Sequence, residues 1–166
     1  ATMAKQRRIY SADVVINGGR YSLAITALQP IFDKSQADPS IANRLIFAKI
    51  RAGRMKDAAA TMELYRRFGH PDGYGYILKA ILDQYVGNGK ASEDSEKEAI
   101  LNDPANVGVR FGQAYLALVR GRTAAFSQLI LDIGKTECAS PIANSLLSAR
   151  AFLVNDYEEA RKRFET

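Results

Sequence analysis

Histidine, tryptophan and cysteine are scarce in this chain of 166 residues, which holds one His, one Cys and no Trp. The single Cys138 rules out an intrachain disulfide and leaves no partner for a cysteine-based metal cluster. Lying between a helix end and Ser140-Pro141 with no His beside it, the thiol reads as a small packing residue rather than a nucleophile. His70 stands in a Gly-His-Pro turn and reads as a solvated loop residue, so His-centred catalysis has no support. Long apolar runs are missing too, because charges fall every few positions and no window approaches the ~18 apolar residues of a membrane span. The opening segment Ala1 to Arg8 is basic with no apolar stretch behind it, unlike a secretory signal. Gly18-Gly19 and Gly73-Tyr74-Gly75 read as turns, since no phosphate-loop or dinucleotide fingerprint follows a strand. Glu93, Asp94, Glu96 and Glu98 lack the ligand spacing of a calcium loop and read as a solvated helix face. The chain is therefore expected not to be an enzyme, with no catalytic residue, cofactor or metal.

The rest of the composition is that of a folded globular chain, with 47% apolar and 25% charged residues. Its length suits one domain. A formal net charge of +5 and a pI near 9.4 permit an acidic partner without requiring one. The basic clusters Lys5 to Arg8, Arg66-Arg67 and Arg161-Lys162-Arg163 fall on different predicted helices and are read as serving solubility. One thiol leaves the compartment open, with the cytosol favoured.

The informative feature is a period. Gly19, Gly53, Gly87, Gly121 and Asn155 stand 34 residues apart. Gly ends a helix readily because it enters the left-handed region without a Cβ clash, and Asn does so at small cost. Each mark is thus predicted to be the turn inside a helical hairpin. Five residues beyond the mark stand Ala24, Ala58 and Ala160, where two helices must approach closely, with Ser92 and Phe126 in the two degenerate repeats. Leu28, Met62, Glu96, Ile130 and Phe164 follow at nine residues past the mark, and Ile31, Tyr65, Ala99 and Ile133 at twelve, a stripe at helical spacing. Seven residues before the marks come Ala12, Ile46, Ala80, Ala114 and Ser148, mostly small, as packing between neighbouring first helices requires.

The runs Gly-Arg-Tyr-Ser-Leu-Ala from Gly19, Gly-Arg-Met-Lys-Asp-Ala from Gly53 and Asn-Asp-Tyr-Glu-Glu-Ala from Asn155 resemble the turn and second-helix start of the tetratricopeptide repeat. Pro104 stands where that family ends a second helix, while the family's first-helix Trp is absent. The resemblance implies an all-α, right-handed α-solenoid of antiparallel helix pairs. It would form a single domain over residues 5–166, with repeats near 5–38, 39–72, 73–104, 105–140 and 141–166. Helix pairs are predicted at 7–18 with 20–35, 39–52 with 54–68, 73–87 with 90–102, 105–120 with 123–135, and 141–154 with 156–165. The second helix of the third repeat, almost without an apolar face before Ala99, is expected to be the weakest. With no polar capping helix after Thr166, a fragment of a longer array, or one capped by a partner, is expected.

The same resemblance implies a scaffold or adaptor that holds a peptide or helix of another protein in a concave groove, within an assembly such as a secretion or envelope machine. The family's groove positions fall on Asn43, Phe47, Ile50 and Arg51 in the second repeat, on Tyr74, Ile77, Ile81 and Tyr85 in the third, and on Phe111, Tyr115 and Leu118 in the fourth. Ile9 and Asp13, with Ile77 and Leu78, replace the cations and amides by which some family members clamp chaperone tails, so that ligand is not expected. Self-association through the uncapped C-terminal end is a further expectation; membrane insertion is not. The alternative is single-stranded RNA binding, because Gly53 to Tyr76 also looks like one pentatricopeptide unit. The other repeats do not share that likeness, so nucleic acid is not the expected partner.

Overall fold

The computed structural model describes residues 2–136, 141–153, 158, 159 and 162. Among them nine helices follow one another: α1 Thr2–Asn17, α2 Tyr21–Phe32, α3 Pro39–Arg51, α4 Met55–Phe68, α5 Gly73–Tyr85, α6 Gly89–Asn102, α7 Val107–Val119, α8 Thr123–Thr136 and α9 Pro141–Leu153. No strand occurs among the described residues, and none of their helices is long and apolar enough to cross a membrane. Of the predicted last helix at 156–165 only Glu158, Glu159 and Lys162 are described, each as helical, and Asn155, Ala160, Phe164 and Cys138 lie outside the described residues.

The period in the sequence is a period in the backbone. Gly19, Gly53, Gly87 and Gly121 have φ of 70°, 73°, 81° and 70°. At each one the glycine N–H and the following N–H cap the carbonyls of the helix just ended. Gly53 N donates to Ile50 O at 3.0 Å and Arg54 N to Lys49 O at 2.8 Å, and Gly121 N to Leu118 O at 3.0 Å and Arg122 N to Ala117 O at 2.8 Å. This is the Schellman closure, in which a left-handed residue lets two otherwise orphaned carbonyls be satisfied. Helix starts repeat as well. Asp38 accepts from Ser40 N at 3.0 Å, Asp72 from Gly75 N at 2.7 Å and Asn106 from Val109 N at 3.3 Å.

Backbone contacts divide the chain into two compact units, Ala1–Asn102 and Asp103–Thr166. In the first unit α1, α3 and α5 pack side by side, each against its own second helix, and α2 and α4 also touch the next first helix. Among the described residues α2 and α4 make no backbone contact with each other, nor do α4 and α6. The first helices thus touch one another along the unit, while neighbouring second helices do not. Ala12, Ala24, Leu28, Phe32, Leu45, Ile46, Ala58, Met62 and Tyr65 fill the space between the layers. Ala24 and Ala58 are fully buried, as the close hairpin approach requires. In the second unit α8 packs on α7 and α9. Phe126 stands where the first two repeats have Ala and the third Ser, and it is buried in one cluster with Ala114, Ala117, Ile130 and Ile133.

The third hairpin departs from expectation. Helix α6 is continuous and packs on α5 more extensively than any other pair among the described residues, although it buries only Ser92, Ser95 and Ala99. Small side chains let the backbones approach, and hydroxyls replace apolar contact. Ser92 Oγ donates to Ala80 O at 2.7 Å, and Ser95 Oγ lies 3.3 Å from Asp83 Oδ2. Asp83 in turn takes Lys79 Nζ at 2.5 Å. One hairpin earlier, 34 residues back from Asp83 and Ser95, the same places hold Lys49 and Thr61. Lys49 is buried, with Nζ donating to Thr61 Oγ1 at 2.8 Å. Burial holds the Lys49 pKa below its ordinary value, although Asp57 opposes the shift.

Two outcomes follow for stability. At Gly69 an added Cβ would meet Ala37 Cα at 2.8 Å and Ala37 O at 2.9 Å, backbone that has no rotamer to escape by, whereas at Gly53 it would meet nothing within 4 Å. In urea unfolding, Gly69→Ala should therefore cost about 2–3 kcal/mol by overpacking. Gly53→Ala should cost about 1–2 kcal/mol through its left-handed backbone alone, and a reversed order would contradict the close approach at Ala37. For Lys49, the folded chain binds fewer protons than the unfolded one between the depressed pKa and 10.5. Stability thus rises with pH across that window, and the penalty is full below it. Lys49→Met should raise Tm at pH 7, with the gain over wild type shrinking as pH approaches 10.5. A gain unchanged with pH would show that Lys49 is not desolvated.

Candidate partner-docking face

On α3, Arg44, Phe47 and Arg51 recur at helical spacing and meet the preceding hairpin, Arg44 at Asp13 of α1 and Phe47 and Arg51 at Tyr21 of α2. The equivalent places 34 residues earlier are Tyr10, Asp13 and Asn17 on α1, and 34 later Leu78, Ile81 and Tyr85 on α5. Because α1, α3 and α5 abut, these places line one side of the first unit, except that Leu78 is buried in the core. Tyr10 is 72% exposed, Val14 54% and Tyr85 66%, large apolar groups that no core contact explains.

Two polar arrangements organise this face. Arg44 bridges α3 to α1, its Nε donating to Asp13 Oδ1 at 2.6 Å and its terminal nitrogen to Asp13 Oδ2 at 2.9 Å. This fork-on-carboxylate geometry neutralises both groups and sets the register of the two helices. Beside it, the Arg51 guanidinium sits 5.4 Å from the centre of the Tyr21 ring, with Nε donating to the Tyr21 hydroxyl at 3.2 Å. Tyr21 meets Phe47 edge to face, centroids 6.4 Å apart. A cation over an aromatic face and an edge-on aromatic pair are both favourable.

The residues expected from sequence divide into four groups. Phe47, Arg51, Ile81 and Tyr85 share the side just described, Arg51 and Tyr85 exposed and Phe47 and Ile81 partly buried, Phe47 against the first core. Asn43 and Ile77 do not reach it, being 5% and 0% exposed. The amide of Asn43 donates to Asp72 Oδ1 at 2.8 Å, bracing the second repeat against the cap of α5, while its own oxygen finds no partner. Ile50 and Tyr74 are partly buried against the first core, and burial pushes the Tyr74 pKa up to about 12. In the second unit Phe111 and Leu118 are partly buried on the Phe126 cluster, and Tyr115 is exposed.

Sequence reasoning missed Tyr10, Val14, Arg44 and Tyr21. The first two were findable, since subtracting 34 from Arg44 gives Tyr10, and Val14 lies one turn on. Tyr21 looked like part of a turn motif. Its role depends on the second helix of one repeat touching the first helix of the next, which no spacing within a repeat reveals.

No protein-family model matches the sequence, and no curated protein matches it. Solved structures do. A tetratricopeptide repeat protein from Parabacteroides merdae aligns over 95% of this chain with a TM-score of 0.62 at 12% identity, and this chain spans 62% of that protein's length. YrrB, a tetratricopeptide-repeat protein with an unusual peptide-binding site, aligns over 95% of this chain with a TM-score of 0.52 at 11% identity, and 81% of YrrB is covered. A chain of the Naa15/Naa10 complex bound to HypK-THB aligns over 96% with a TM-score of 0.56 at 14% identity, this chain spanning 24% of it. At such identities the likeness is one of fold alone, an all-helical array of adjacent helix pairs. The chain carries the tetratricopeptide-repeat fold.

Proposed function

We propose that the chain is a non-catalytic scaffold that holds a segment of another protein on the first-helix face of its Ala1–Asn102 unit, as one component of a larger assembly. The observation that carries this reading is the placement of Tyr10, Val14 and Tyr85. Three large apolar groups of the first helices stand in solvent there, beside the partly buried Phe47 and Ile81. Aromatic side chains bury much area at low conformational cost, which suits them to anchoring a partner. The structure with an unusual peptide-binding site shares this fold, which agrees with a peptide as occupant.

Photo-crosslinking in the native cell tests the face. A benzophenone side chain at Tyr10 or Tyr85 should yield a protein adduct of defined mass, whereas the same group at Leu23 or Leu101, exposed on second helices, should not. Adducts from the second-helix positions alone would move the site to the other side of the unit. In a mobility-shift titration with single-stranded RNA, no saturable, steeply salt-dependent complex is expected; finding one would favour the pentatricopeptide alternative.

A further inference from the structure

On the first-helix face the charges do not cancel. Asp13 is committed to Arg44 through both oxygens. Arg51, exposed at the end of α3, has no carboxylate partner among the described residues, and only its Nε is used, on the Tyr21 hydroxyl. Guanidinium carries five N–H donors in a planar fork, so both terminal nitrogens stay open to a second group. The ring of Tyr21 beneath the guanidinium, itself braced edge-on by Phe47, limits the conformations the side chain samples. An Arg held before its ligand arrives loses less entropy on binding.

From this cation, aromatic-braced and unneutralised beside Phe47, we infer that the segment held on the face places a carboxylate on Arg51. An apolar side chain of the same segment would lie against Phe47 and the register-equivalent Ile81. The inference rests on the docking reading above and adds the partner's chemistry. Carboxylate is the complement that a free fork selects, because two parallel N–H donors match its two oxygens. It can come from an Asp or Glu side chain or from a chain terminus.

The test is selection of peptides from a random dodecamer library on the whole chain. The binders are then synthesised with free and amidated C-termini, and with Asp or Glu changed to Asn or Gln, for fluorescence anisotropy. Wild-type binders should need one carboxylate, and its removal should weaken binding about tenfold, the scale of one charge-assisted hydrogen-bonded pair. Whether amidation or the side-chain change causes that loss identifies the source. Arg51→Gln should produce the same loss, with none added when the peptide is already neutral, and Arg51→Lys an intermediate one because it keeps charge without the fork. Thermal melts matching wild type confirm that the variants fold. Should binders hold Arg51→Gln and wild type equally while Tyr85→Ser weakens them, the carboxylate seat is wrong and the face stands. If the wild type selects no peptide, both readings fall.

Discussion

A helix of twelve to sixteen residues buries one side at most, and in water such a helix is marginal alone. What makes these helices stable is that each is folded back on a partner by a turn closing in the left-handed region, and Gly19, Gly53, Gly87 and Gly121 supply that turn. The turn sets which residue of the first helix faces which residue of the second. Ala24 and Ala58 then meet their hairpin partners closely, and Leu28, Met62 and Tyr65 reach the core. Successive first helices touch along the unit, whereas neighbouring second helices do not. A face built by repetition is therefore a product of the turn.

Repetition also explains how polar groups are tolerated inside. Lys49 with Thr61 and Asp83 with Ser95 occupy equivalent places of the second and third hairpins, each ionisable group met by a hydroxyl from the opposing helix. In the first hairpin the corresponding places hold Val15 and Ala27. Buried ionisable groups cost stability unless partnered. Asp83 has Lys79 as well as Ser95, while Lys49 leans on a neutral oxygen and has its pKa depressed accordingly.

The first-helix face combines the two themes. Tyr10, Val14 and Tyr85 stand in solvent because they sit on the outer side of helices whose inner sides are already filled, and the charges of the face are arranged as a closed pair and an open cation. The Arg44–Asp13 pair is a structural brace, whereas Arg51, stacked on Tyr21, has donors to spare. Both use the same functional group, and the difference lies in whether an acid stands across from it.

Much of this architecture was legible in the amino-acid order, for a local reason. Turn chemistry and hairpin packing depend on residues within one period, so an offset of 34 between glycines sufficed to place the four described turns and to expect small residues where helices cross. Contacts between repeats were not legible, because they join residues about 30 positions apart on surfaces that only stacking creates. Tyr21 under Arg51, Arg44 on Asp13 and Asn43 on Asp72 are of that kind. The same limit explains why Asn43 and Ile77 read as groove residues and are buried. It also explains why α6, poor in apolar residues, packs so extensively on α5: hydroxyls against a neighbouring carbonyl and carboxylate compensate only once the two backbones are near enough to touch.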